Sequence, residues 1–87
     1  MNDFRDHFAT SDTNLSAYLL AATGRQPEIC RQDGQNLVTF KFRRDSKLSR
    51  LIEEYLSGEA TISARAVLSA RSRIFHMVRN FERGGGL

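Results

Sequence analysis

An α+β domain is what this sequence predicts, in the order helix, two-stranded antiparallel hairpin, helix, helix, with the helices packed on one face of the hairpin. Three observations predict it. Three stretches repeat apolar residues at helical spacing behind a capping residue, and glycine closes the first two. Asp33-Gly34 stands between two runs of strand character, a strong short-range hairpin signal. Finally, 87 residues suffice for one hydrophobic core and not for two.

Residues 1–9 lack a clear period and are expected to be a flexible arm ahead of a single domain at 10–82. Thr10-Ser11-Asp12 supplies cap oxygens directly before Leu15, Tyr18, Leu19 and Ala22, an i, i+3, i+4, i+7 stripe that Gly24 can end in a left-handed conformation. Pro27 then blocks helix. If Asp33 and Gly34 are the two loop residues of a hairpin over 27–42, Ile29 faces Val38 and Cys30 faces Leu37. Val38, Phe40 and Phe42 alternate onto the core side, and Ile29 joins them. The other side carries Glu28, Cys30, Leu37, Thr39, Lys41 and Arg43.

Asp45 or Ser46 caps a second helix, whose stripe is Leu48, Leu51, Ile52, Tyr55 and Leu56 and whose end is Gly58. Ser63 caps a third, with Ile62 and Val67 at the spacing of a hydrophobic staple. Ala64, Val67, Leu68, Ile74, Phe75, Val78 and Phe81 are expected on its apolar side, and Arg65, Ser69, Ser72, His76, Arg79 and Arg83 on the other. Arg71 interrupts the apolar side; snorkelling, or pairing with Glu53 or Glu54, is the expected arrangement, and an interface anchor is the alternative. Gly84-Gly85-Gly86-Leu87 cannot hold a helix, so 83–87 is expected to be a flexible tail.

Composition narrows the function classes. The longest wholly apolar run, Ala17 to Ala22, is far short of a membrane span, and the N-terminal residues do not read as a secretion signal. Cys30 is the only cysteine, so an intramolecular disulfide and a cysteine-based zinc site are both excluded, and a cytoplasmic setting is expected. His7 and His76 stand in different segments, Cys30 has no base near it in sequence, and no glycine-rich loop follows a strand. The expectation is therefore no enzyme, no cofactor and no metal.

Charge is the more informative pattern. The formal net charge of +3 conceals two basic blocks. Residues 41–50 carry Lys41, Arg43, Arg44, Lys47 and Arg50 against Asp45, a net +4, and the third helix another +4 from Arg65, Arg71, Arg73, Arg79 and Arg83 against Glu82. Local clusters govern attraction to polyanions more than totals do. Arginine outnumbers lysine eleven to two, and its guanidinium fork suits phosphate. The leading expectation is a binding or regulatory module that contacts nucleic acid or a nucleoprotein assembly through Lys41, Arg43, Arg44, Lys47, Arg50, Arg65, Arg79 and Arg83. The alternative is a protein-interaction module, acting as a homodimer, adaptor or phage-type inhibitor. It would use open hairpin edges together with Cys30, Leu37, Thr39 and Arg71.

Two resemblances add to this. From Leu37 to Ser63 the order strand, helix, polar turn, helix resembles the ribbon-helix-helix DNA-binding proteins. That resemblance implies a two-chain strand pair with Thr39, Lys41 and Arg43 facing the groove, and a phosphate grip by Thr61 and Ser63. The turn Gly58-Glu59-Ala60-Thr61-Ile62-Ser63 is one residue longer than that family's pattern, and the hairpin would occupy the pairing edge. Thr10-Ser11-Asp12, Leu15, Ala17 and Leu19, then Val38-Thr39-Phe40-x-Phe42 and the helix ending at Gly58, also resemble a small bacterial and phage domain family of unknown function. That likeness implies the same order of elements and no activity.

Overall fold

The structure, a computed structural model, describes residues 6–31 and 37–84. Its elements are β1 (His7–Thr10), α1 (Thr13–Thr23), β2 (Glu28–Arg31), β3 (Val38–Arg43), α2 (Ser46–Ser57) and α3 (Ala64–Gly84). The α+β class stands, with three helices and an antiparallel sheet, but the sheet has three strands in the order β1-β3-β2. The additional strand comes from the segment expected to be an arm. Phe8 pairs with Phe42 and Thr10 with Phe40, and the Arg44 amide donates to the Asp6 carbonyl beyond the strand end. Burial of Phe8 against the core supplies what its short, aperiodic sequence did not advertise.

The β2–β3 register places Ile29 opposite Phe40 and Cys30 opposite Thr39. The expected register, with Ile29 opposite Val38 and Cys30 opposite Leu37, is thus displaced by two residues. A shift of two preserves the alternation, so every side chain keeps its face. The Asp33-Gly34 turn lies outside the described residues. Phe40 and Phe42 are buried, at 2% and 1% exposure, on the side the helices cover. Their neighbours Thr39, Lys41 and Arg43 turn to the opposite face.

Asp12 caps α1 by accepting from the amides of Asn14 and Leu15. Gly24, at φ 73°, ends the helix and donates its amide to the Leu20 carbonyl. Six consecutive residues, Leu15 to Leu20, are buried, where the sequence suggested a single stripe. The cause is position: α1 lies against both α2 and α3 while touching the sheet, so more than one side of it is covered. Buried Ser16 is satisfied by donating its hydroxyl to the Asp12 carbonyl.

Asp45 caps α2 at the Leu48 amide, and Gly58, at φ 82°, closes it. Leu48, Leu51 and Ile52 are buried, but Leu56, expected in the same stripe, is 73% exposed. Ser63 accepts from the Ala66 amide at the start of α3, and Ile62 and Val67 both pack on the core, as a staple requires. The buried side of α3 is Ala70 and Ile74, with Val67, Met77 and Val78 partly covered. Leu68 and Phe75, expected on that side, are exposed. Arg83 and Gly84 belong to the last turn of α3, so the expected tail begins later; residues 85–87 lie outside the described residues. No described helix is long and apolar enough to cross a membrane.

Candidate functional site

The basic residues leave the core from two layers. Lys41 and Arg43 stand on the sheet face opposite the helices, next to Cys30, Thr39 and Glu28. Lys41 is partly occupied, its Nζ 3.9 Å from a Glu28 carboxylate oxygen. Arg43 is exposed opposite His7 and has no acidic partner among the described residues. Arg44 follows the strand; its Nε donates to the Ser49 hydroxyl at 3.2 Å, and its guanidinium lies 5.9 Å from the centre of the Phe8 ring. Arg44 is therefore held by the fold rather than offered freely. On α2, Lys47 is exposed, while Arg50 Nε lies 3.9 Å from a carboxylate oxygen of Glu54.

The second group is cleaner. Arg65, Arg79 and Arg83 are all exposed on α3, and none has an acidic partner among the described residues. Glu82, the acid of this helix, is engaged elsewhere: its carboxylate accepts from Arg31 Nη2 at 2.9 Å and ties α3 to β2. With about 100° between successive residues, Arg65, Arg71, Ser72, Arg79 and Arg83 lie within roughly 60° of Leu68 on the outer surface, and Phe75 lies about 20° from Leu68. Here the sequence expectation needs correction. Arg71 does not interrupt the buried arc and pairs with neither Glu53 nor Glu54; its Nε donates to Asn14 Oδ1 at 3.0 Å and its guanidinium covers the Phe75 ring at 4.7 Å.

Beside this face runs an apolar groove of about 570 Å³, lined by Tyr18, Tyr55, Ile62, Val67, Leu68 and Arg71 among others. The Tyr18 and Tyr55 rings meet at 5.4 Å between centroids. Burial raises both phenol pKa values, with Glu54 adding to the effect on Tyr18 and Asp12 to that on Tyr55.

The candidates for a phosphate grip are divided by the structure. The Ser63 hydroxyl is already committed to the Ala66 amide, whereas Thr61 is exposed in the linker. Leu37 is 56% exposed, and Cys30 is a half-buried free thiol across from Thr39. Both edges of the hairpin were expected to be open; β1 covers one of them, so β3 is paired on both sides. The cross-chain strand pair implied by the ribbon-helix-helix resemblance therefore has no edge on β3 to use. Among the described residues, no group of three or more His, Cys, Asp or Glu side chains could hold a metal ion.

Sequence reasoning missed the exposure of Leu68 and Phe75 and the Arg25–Asp45 ion pair. The first carried a signal: Arg71 and Arg79 each lie four residues from Phe75, which puts the aromatic ring inside the arginine row. The second carried none, because its partners are twenty residues apart. Comparison with protein-family models, with curated proteins and with solved structures finds no match to this chain.

Proposed function

We propose that this domain is a non-enzymatic binding module that contacts nucleic acid, alone or in a nucleoprotein assembly, through the outer face of α3. The observation that carries this reading is the set Arg65, Arg79 and Arg83, exposed along one helix face and unneutralised among the described residues. Guanidinium groups free of internal acids retain their full attraction for phosphate, and their planar forks bind it with two parallel hydrogen bonds. Arg43 and Lys47 extend the positive field from the sheet side and α2, in a supporting role.

Counterion release makes the reading measurable. If three phosphates are engaged, the log of affinity falls with the log of salt concentration at a slope of about −2 to −3. Replacing Arg65, Arg79 and Arg83 together by glutamate is expected to abolish oligonucleotide binding while circular dichroism stays unchanged. A flat salt response, or undiminished binding by the triple variant, refutes the reading.

A protein partner is the second reading, and the apolar groove beside α3 favours it. A partner that adds a strand would have to use the outer edges of β1 or β2. Function that survives the triple charge reversal supports this alternative, and sedimentation at a concentration-independent monomer mass removes its homodimeric form.

A further inference from the structure

Resting on the polyanion reading above, we infer that the preferred ligand is single-stranded nucleic acid, with an unpaired base stacking at Arg71 and Phe75. The outer face of α3 is not purely basic. Leu68 is 63% exposed and Phe75 42%, and both lie inside the arc that carries the free arginines. Contact with a duplex backbone rewards charge and hydrogen bonding, and gives little return for an exposed aromatic ring. Bases within a duplex have their faces covered by their neighbours. A single strand presents those faces, and basic grooves interleaved with aromatic side chains are how proteins capture it.

The geometry of Arg71 adds to the case. Its Nε is anchored on Asn14 Oδ1 at 3.0 Å and its Cζ lies over the Phe75 ring, 4.7 Å from the ring centre, so the guanidinium is held in place before any ligand arrives. A base can stack on a guanidinium so held or on the remaining exposed ring surface at little ordering cost. With a rise of about 1.5 Å per residue, Leu68 and Phe75 stand about 10 Å apart along the helix, and Arg79 lies about 6 Å beyond Phe75. Around the helix the free arginines Arg65, Arg79 and Arg83 lie to one side of Leu68 and Phe75, and Arg71 to the other, as a strand with bases to one side and phosphates to the other demands.

The test uses the full chain and a fluorescein-labelled mixed-sequence 16-nucleotide DNA, single-stranded and as the corresponding duplex, followed by anisotropy. The single strand is expected to bind more tightly at every salt concentration. Phe75→Ala should weaken single-strand binding about tenfold without altering the salt slope, and Phe75→Trp should restore it. Arg79→Ala should instead weaken both ligands and reduce the single-strand slope by about 0.7. Duplex binding equal to or tighter than single-strand binding overturns this inference alone, as does a folded Phe75→Ala variant with unchanged affinity. Failure to bind both oligonucleotides, including the case where anionic vesicles are bound instead, overturns the nucleic-acid reading and this inference with it.

Discussion

Asp45 does two jobs with one carboxylate. One oxygen accepts the Leu48 amide at 2.9 Å and starts α2; the other accepts Arg25 Nη2 at 2.7 Å and fastens that helix to the segment after α1. The hydrogen bond from Arg25 is the larger cause of a pKa held below the ordinary aspartate range, and the Leu48 amide is the next. A carboxyl depressed on folding stabilises the native state above the unfolded pKa of about 3.9, and that contribution disappears as pH falls through the lower folded value. Asp45→Asn should therefore unfold at a lower temperature than the parent at neutral pH. In thermal melts from pH 7 to pH 2 the difference should narrow only below about pH 4. A difference independent of pH would show that the charge on Asp45, whether toward Arg25 or toward the Leu48 amide, contributes nothing to stability.

At the scale of the element, α3 has two dissimilar faces whose boundary the apolar pattern does not mark. Ile74 is fully buried against the core, whereas Leu68 projects from the same helix at 63% exposure. Ile74→Ala is expected to cost about 2–5 kcal/mol in urea unfolding, and Leu68→Ser to change stability by less than about 0.5 kcal/mol. Comparable losses for the two would mean that the faces are misassigned. This division is also why Phe75 can be altered in a binding assay without threatening the fold. The neighbouring α1 is the opposite case, since α2 and α3 bury a continuous run of six of its residues.

Over the whole molecule the decisive feature is the central position of β3. Both of its partners precede it in sequence, β1 before α1 and β2 after it, yet they flank it in space. Phe8, opposite Phe42 and packed on the core, joins the first strand to the rest of the protein. Because the ring is only half-buried, Phe8→Ala should cost roughly 2 kcal/mol, about half the penalty for a fully buried phenylalanine. Hydrogen exchange in that variant should speed up in β3 as well as in β1, because β3 loses a stabilised neighbour on one side. Acceleration confined to β1 would argue that the strand is only loosely attached.

Local chemistry was enough to read the three helices, the cap at Ser63, the short sets Thr10-Ser11-Asp12 and Asp45 or Ser46 from which the structure takes Asp12 and Asp45, the glycine ends at Gly24 and Gly58, and the inward row of Phe40 and Phe42. These depend on residues within about one turn or one strand of each other, where spacing alone dictates the physics. Strand β1, the register of the hairpin, the outward turn of Leu56, Leu68 and Phe75, and the anchoring of Arg71 on Asn14 were decided only by assembly. An apolar side chain is buried only where another element arrives to cover it, and that arrival is a property of the packed chain rather than of any window within it.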